Sequence, residues 1–84
     1  MFLHVQRVNP TKDYSVRIEF TNGVVKDVDL RSQLYGPIFE PLRDLGLFGQ
    51  VKVNEETKTV EWPNGADFAP EFLYEIGREV KQIV

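Results

Sequence analysis

The side chains in this sequence that could do chemistry are few and scattered. The chain has one histidine, His4, no cysteine, and two serines, Ser15 and Ser32, that lie in no nucleophile motif. One histidine makes no metal site, and if Leu3 and Val5 face the core, His4 faces water. A serine–histidine pair would arise only by accident. We predict no catalytic residue and therefore no enzyme, unless a deep polar cavity surrounds His4.

Paired carboxylates and glycines offer the other routes to chemistry. Asp27 and Asp29 are two residues apart on one strand face, a spacing that could bind a hard cation. Acids on a solvated strand explain the same pattern. Asp67 and Glu71 match a helix N-cap and a first-turn acid. Because the glycines also show no phosphate-loop spacing, we predict no metal and no cofactor.

The composition is that of a small globular protein. The 84 residues suffice for a single domain, 1–84, and the absence of cysteine excludes disulfide frameworks, thiolate zinc sites and iron–sulfur clusters. No run approaches the roughly 18 apolar residues of a membrane helix. The first residues lack the basic and then apolar pattern of a signal peptide. We therefore expect a cytoplasmic protein with no membrane partner.

The charge balance argues against direct binding of nucleic acid. Thirteen acids outnumber ten bases, the net charge is -3, and the bases are spread from Arg7 to Lys81. Nucleic-acid-binding domains more often gather their bases in a stripe, because neutralised phosphates supply most of the affinity. No such stripe is visible in the sequence.

Three strands are predicted in the N-terminal part of the chain. Residues 2–9 mix apolar and polar positions at a period of two, and residues 14–21 alternate cleanly. Asn22-Gly23 follows at once, and this dipeptide readily forms a type I′ turn. We therefore expect Val24–Asp29 to fold back antiparallel on the second strand.

The middle of the chain predicts a short helix and a second hairpin. Two prolines and two glycines interrupt Leu30–Leu47, so a short helix from about Pro41 fits best. Phe48–Val53 and Lys58–Trp62 then form two strands, which Pro63-Asn64-Gly65 ends. Four apolar residues of the middle segment are predicted to cap the core: Leu34, Phe39, Leu42 and Leu45.

A long helix is predicted at the C-terminus. Asp67 is a suitable N-cap, Pro70 fits the first turn, and the helix should run from about Phe68 or Pro70 to Ile83. Gly77 lies in its middle and hints that another backbone approaches closely there, from this chain or from a second subunit. The predicted apolar stripe consists of Phe72, Leu73, Ile76, Val80, Ile83 and Val84.

These elements predict an α+β fold with the order βββ(α)ββα. An antiparallel sheet of two hairpins and an N-terminal strand is packed by the short middle helix and the long C-terminal helix. Eight residues have turn, anchor or cap roles in this prediction: Asn22, Gly23, Trp62, Pro63, Asn64, Gly65, Asp67 and Pro70.

A candidate partner-binding patch lies on the predicted C-terminal helix. Tyr74, Arg78 and Lys81 fall opposite the apolar stripe, and a tyrosine beside two bases can serve as a contact patch. A solvated helix face with one partly exposed ring explains the same three residues. Both interpretations stay open from the sequence.

Three stretches of the sequence resemble the bacterial family called domain of unknown function 2442. They are Phe20-Thr21-Asn22-Gly23, then Pro37-Ile38-Phe39-Glu40-Pro41-Leu42-Arg43-Asp44 with Phe48 and Val51, and finally Trp62-Pro63-Asn64-Gly65-Ala66-Asp67 with Pro70, Glu71, Leu73 and Tyr74. The resemblance implies a small α+β domain and brings no catalytic residue. Family members are often encoded beside another small uncharacterised protein, and some are fused to a helix-turn-helix domain. This implies a toxin–antitoxin or regulatory arrangement.

Two functions remain open at this stage. The leading hypothesis is a non-catalytic interaction module that binds a small partner protein, encoded nearby, through an exposed sheet edge or the Tyr74 helix face, as an antitoxin-like or regulatory component. A homodimer is compatible with the same surfaces. The alternative is a DNA-associated transcriptional regulator whose scattered bases gather on one sheet face: Arg7, Arg17, Lys26 and Lys52.

Overall fold

The protein is an α+β domain, described by a computed structural model over residues 2–81. The strands are β1 (Val5–Pro10), β2 (Ser15–Phe20), β3 (Val25–Asp29), β4 (Lys52–Asn54), β5 (Thr59–Glu61) and β6 (Arg78–Glu79). The helices are α1 (Leu45–Phe48) and α2 (Pro70–Ile76), and two 3₁₀ turns span Arg31–Gln33 and Glu40–Arg43.

The strands form two antiparallel sheets rather than the single sheet predicted. One sheet has the order β1-β2-β3-β6, and β4 and β5 pair separately. The two sheets meet where the backbone N–H of Val5 donates to the Lys58 carbonyl at 2.9 Å. The second hairpin is therefore attached to the edge of β1 and does not extend the first sheet.

Buried and more exposed residues alternate along β2, as the sequence predicts. Val16, Ile18 and Phe20 are fully buried, whereas Arg17 lies on the opposite face of the strand. Strands β1 and β3 flank β2 on either side, so both neighbours complete the same two-faced layer. The predicted first hairpin is thereby confirmed.

The turn of that hairpin differs from the predicted type I′ turn. Gly23 has a φ of +87°, but Asn22 does not adopt a positive φ. The Gly23 N–H donates to the Phe20 carbonyl, and the Phe20 N–H donates to the Val24 carbonyl, both at 2.9 Å. Because Thr21 also belongs to the loop, the chain forms a three-residue turn in which only the glycine needs the left-handed region.

A second turn repeats this arrangement after β5. The Gly65 N–H donates to the Trp62 carbonyl, and the Trp62 N–H donates to the Ala66 carbonyl, both at 2.9 Å. Gly65 has a φ of +88°. The Asn64 side-chain oxygen accepts the Ala66 N–H at 3.1 Å, as the Asn22 oxygen accepts the Val24 N–H at 3.0 Å. Trp62 thus follows β5 as a buried side chain, and Asn64-Gly65 turns the chain.

The core lies between the inner sheet face, the second hairpin and α2. The indole of Trp62 is its largest fully buried side chain, and the indole N–H donates to the Phe48 carbonyl at 2.8 Å. Burying an indole without such an acceptor would cost free energy. The buried apolar residues are Val5, Val16, Ile18, Phe20, Val28, Leu30, Leu34, Leu42, Phe48, Val51, Val60, Trp62, Ala66 and Leu73.

The middle segment contains less regular helix and a shorter strand than predicted. A 3₁₀ turn covers Glu40–Arg43, and α1 is one turn that ends at Phe48, so Phe48 does not begin a strand. Leu34 and Leu42 are buried as predicted, and Phe39 packs on the core. Leu45 is 52% exposed, because it is the first residue of the one-turn helix whose buried position is Phe48.

Helix α2 begins as predicted at Pro70, but Asp67 is not its cap. The N-cap is Ala69, and no side chain caps the helix. Asp67 instead forms an isolated antiparallel bridge with Glu61, because the Trp62–Ala66 turn folds the chain back on β5. Pro70 stands at the first helical position, where a missing N–H costs little.

The prediction of a long C-terminal helix that reaches Ile83 is wrong, because α2 has seven residues and ends at Ile76. The Lys26 ammonium donates a hydrogen bond to the Tyr74 carbonyl at 2.5 Å. In a longer helix, the Arg78 N–H would need this carbonyl as its acceptor. Gly77 is extended, and β6 pairs with β3. The predicted stripe residues Ile83 and Val84 lie outside the described residues.

Gly77 marks a close approach within this chain. A Cβ built there would lie 2.9 Å from the Leu73 carbonyl oxygen and 3.0 Å from both Lys26 Cβ and Val28 Cγ2. The neighbour inferred from the sequence is therefore β3 together with the end of α2. The glycine lets the chain pass from helix to strand against them.

The outer face of the four-stranded sheet carries a ladder of paired charges. Arg17 binds Asp27 through two hydrogen bonds of 2.8 and 3.0 Å, and Arg7 lies 3.6 Å from Glu19. The hydrogen bond from Arg17 holds the pKa of Asp27 below its ordinary value, and burial opposes this shift. Arg78 in β6 stands opposite Asp27 and adds to the same effect.

We predict that Gly77→Ala destabilises the fold by about 1–3 kcal/mol, because the new methyl group must displace β3 or the end of α2. Urea denaturation followed by circular dichroism measures the change. Gly46→Ala is the matched control, since its nearest new contact would be Asp44 Oδ1 at 3.4 Å. Equal stability of the Gly77→Ala protein and the wild type would contradict the tight packing.

We predict that Asp27→Asn reduces the loss of stability in acid. A carboxyl whose pKa is lowered by folding contributes stability above its unfolded pKa of about 4, and loses it as the pH falls through the folded pKa. Denaturation midpoints measured across this range should fall less steeply for Asp27→Asn than for the wild type. Arg17→Gln should flatten the profile in the same way, whereas profiles parallel to that of the wild type would contradict the ion pair.

Candidate functional site

The only histidine lies beside an open hollow between β1 and the β4–β5 turn. The hollow encloses about 370 Å³ and is lined by His4, Glu55 and Lys58 among others. The His4 backbone N–H donates to the Thr21 hydroxyl, and the imidazole makes no hydrogen bond within residues 2–81. Among the described residues, no acid and base in hydrogen-bond contact line this hollow. That the protein is not an enzyme stays a prediction.

The interior of the described protein holds no open polar site. Within residues 2–81, every buried side-chain nitrogen and oxygen has a hydrogen-bond partner, and no three metal-binding side chains converge. In this same part of the chain, no helix is both long and apolar enough to cross a membrane.

The predicted patch of Tyr74, Arg78 and Lys81 is not one helix face. The Tyr74 ring packs edge-on against Phe20 at 5.0 Å between ring centroids, and the Lys26 ammonium lies 3.7 Å from its centroid. Arg78 belongs to β6, and Lys81 follows that strand. The premise of a shared helix face is wrong, because α2 ends before Arg78, while a role in partner binding stays a prediction.

The four bases named for the DNA hypothesis do not gather on one sheet face. Arg7 and Arg17 lie on the outer face beside carboxylates, Lys26 contacts the end of α2, and Lys52 belongs to the second hairpin. The outer face mixes charges of both signs. It therefore lacks the basic stripe that the hypothesis requires.

The segment of residues 35–45 displays apolar side chains to solvent. Tyr35 is 67% exposed, Leu45 52% and Ile38 45%, and these are three of the five large apolar side chains exposed within residues 2–81. Pro37 and Pro41 line an open hollow of about 330 Å³ on the same segment. Such a concentration of exposed apolar groups is typical of interaction surfaces.

Several contacts fix the 35–45 segment to the rest of the protein. The Asn64 amide donates to the Ile38 carbonyl at 2.9 Å, and the Arg43 Nε donates to the Leu34 carbonyl at 2.9 Å. The Tyr14 hydroxyl donates to the Arg43 carbonyl. The backbone of the segment is thus held in place, which lowers the entropic cost of binding.

A second surface surrounds Ile76 at the end of α2. Two hollows, of about 700 and 340 Å³, share Ile76 and Asp29 in their linings. We name this region the Ile76 surface. Its basic residues are Lys12, Arg31, Arg43 and Arg78, and its acidic residues are Asp27 and Asp29. The structure therefore brings Arg78 together with three bases that the sequence analysis did not single out.

Little in the sequence could have revealed these two surfaces. The bases of the Ile76 surface come from four separate segments, and no spacing rule connects them. The 35–45 segment gave a weak indication, because its prolines and glycines disfavour a regular helix while its apolar residues outnumber the buried positions available. Leu45 was assigned to the core on its residue type alone.

A structural comparison finds a similar fold in a protein of known structure. The chain resembles the Nitrosomonas europaea protein named "Putative DNA Binding Protein NE0471", with a TM-score of 0.79 and 26% sequence identity. The match covers 90% of this chain and 49% of the other chain, so this sequence spans about half the length of that protein. No curated protein matches the sequence.

The family comparison covers nearly the whole described structure. A family model described as "Protein of unknown function (DUF2442)" matches residues 5–79, from the start of β1 to the end of β6. All three stretches that carry the resemblance lie within this range, and they form the two Asn-Gly turns, the 35–45 segment and α2. The chain belongs to the DUF2442 family.

Proposed function

We propose that this protein is a small non-catalytic module that binds a partner protein through its 35–45 segment. The observation that carries the proposal is the exposure of Tyr35, Ile38 and Leu45 on a segment held by hydrogen bonds and by buried neighbours. Apolar side chains on a backbone that is already held bind a protein surface with no cost for ordering that backbone. An antitoxin-like or regulatory role in a pair of proteins encoded together is consistent with this chemistry.

The packing beneath the segment supports a display role. Leu42 is fully buried, and the Phe39 ring stacks on Phe68 at 4.7 Å between centroids, so these two residues anchor the segment. Ile38 lies directly beside one anchor in the sequence, yet it is 45% exposed. The fold needs Phe39 and Leu42, and it leaves the exposed apolar groups free for a partner.

We predict that Ile38→Glu and Leu45→Glu each weaken binding of the partner by about tenfold or more, because a charge would be buried against an apolar partner surface. The partner to test is the product of the adjacent gene, co-expressed and titrated by calorimetry. Both positions are exposed, so the thermal stability of the variants should stay close to that of the wild type.

Phe2→Ser is the matched control for this experiment, since Phe2 is 82% exposed but lies outside the segment. The control should bind like the wild type. Failure of the wild type to form a complex at micromolar concentration would contradict the proposal. So would binding of the partner by both glutamate variants with the affinity of the wild type. Self-association of the protein that is sensitive to the same two substitutions would assign the segment to a homodimer instead.

DNA association is the second candidate, because the Nitrosomonas protein carries the name "Putative DNA Binding Protein NE0471". In that case Arg31, Arg43 and Arg78 of the Ile76 surface would contact the DNA phosphates. This candidate predicts that affinity for a DNA duplex falls steeply as salt is raised, in proportion to the number of phosphates contacted. Fluorescence anisotropy at several salt concentrations measures the slope, and the absence of any salt-dependent binding would remove this candidate.

A further inference from the structure

We propose that the Ile76 surface binds an acidic segment of the partner protein that also carries an apolar residue. This inference rests on the proposed function and adds the chemistry of the partner. The Ile76 surface overlaps the 35–45 segment only at Arg43.

Arg43 is held in place and has no carboxylate partner. Its Nε donates to the Leu34 carbonyl at 2.9 Å, and no acidic group lies within 4 Å of its charged nitrogens among the described residues. Arg43 also lines the larger hollow of the Ile76 surface. An oriented arginine without a counter-charge is suited to bind a carboxylate through two hydrogen bonds.

Arg31 lines the same hollow and is only weakly engaged. Its guanidinium carbon lies 5.0 Å from the centroid of the Tyr14 ring, which supports the side chain from one side. Its nearest carboxylate is Asp13, at 3.7 Å, and both side chains are more than half exposed. Such an ion pair contributes little, so a partner carboxylate can replace it at small cost.

The charge of the Ile76 surface is opposite to that of the remaining chain. The linings of the two hollows hold four bases and two acids, whereas the rest of the sequence holds six bases and eleven acids, among them Asp13 beside Arg31. Both acids of the surface are already engaged, Asp27 with Arg17 and Asp29 with the Arg31 backbone N–H. An acidic segment is therefore attracted here and repelled elsewhere, which orients the partner.

The exposed side chain of Ile76 distinguishes the Ile76 surface from a simple phosphate-binding site. This side chain is 38% exposed where the two hollows meet, within the ring of bases. An apolar residue of the partner would cover Ile76 while neighbouring carboxylates reach Arg31 and Arg43. A DNA backbone would leave Ile76 uncovered and place phosphates beside Asp27 and Asp29, so the surface favours a polypeptide.

The test uses a labelled synthetic peptide that alternates glutamate with leucine, titrated by fluorescence anisotropy. We expect binding to the wild type that weakens as sodium chloride is raised from about 0.05 to 0.3 M. Arg31→Gln and Arg43→Gln should each lower the affinity by about fivefold. Because Arg43 also supports the 35–45 segment, Arg31→Gln is the variant that keeps the test independent of local folding.

Arg7→Gln is the matched control, since Arg7 is an exposed arginine beside a carboxylate on the outer sheet face. It should bind the peptide like the wild type. Chemical shifts of a labelled sample should change at residues 31–33 and at Ile76, and not at the turn between β4 and β5. Three results would overturn the inference: no binding of the glutamate peptide, equal binding of a lysine–leucine peptide, or tighter binding of a DNA duplex.

The outcome is distinguishable from failure of the proposed function. If the natural partner binds and responds to Ile38→Glu but not to Arg31→Gln, the proposed function stands and this inference fails. If no natural partner binds while the glutamate peptide is bound through Arg31 and Arg43, the charge chemistry stands and the proposed function of the 35–45 segment fails.

Discussion

The buried indole of Trp62 sets the positions of the elements around it. Its N–H can be buried only with an acceptor, and that acceptor is the carbonyl of Phe48, the last residue of α1. The indole also contacts the rings of Phe48 and Phe68, with centroids 5.5 and 5.9 Å away. Phe68 in turn stacks on Phe39, so the exposed 35–45 segment is fixed through aromatic packing that begins at one tryptophan.

The C-terminal part of the chain shows how a sheet edge overrides a helical pattern. The apolar spacing from Phe72 onwards suits a long helix, but the edge of β3 would then remain unpaired. Lys26 takes a helix carbonyl, and Gly77 allows the backbone to turn into an extended conformation against β3. The residues after Ile76 therefore pair with β3 as a strand and do not add further turns to α2.

Local patterns predicted much of the fold, whereas surface chemistry depended on long-range placement. Strict alternation identified β2, and Asn-Gly dipeptides located both turns, although the turn type required the hydrogen bonds of the flanking residues. Gly77 correctly indicated a close neighbour, but the sequence could not say that β3 is that neighbour. The bases around Ile76 come from segments far apart in sequence, so neither periodicity nor motif could have grouped them.

The two Asn-Gly turns also govern how the protein ages chemically. An asparagine before a glycine loses its side-chain amide readily, because the glycine nitrogen attacks the amide carbon without hindrance from a Cβ. Here the nitrogens of Gly23 and Gly65 are each bound to a carbonyl at 2.9 Å, and the asparagine oxygens accept other backbone N–H groups. Attack therefore requires the turn to open first, so the rate of deamidation follows the population of the opened turn. Mutations that loosen either turn shorten the lifetime of the intact molecule.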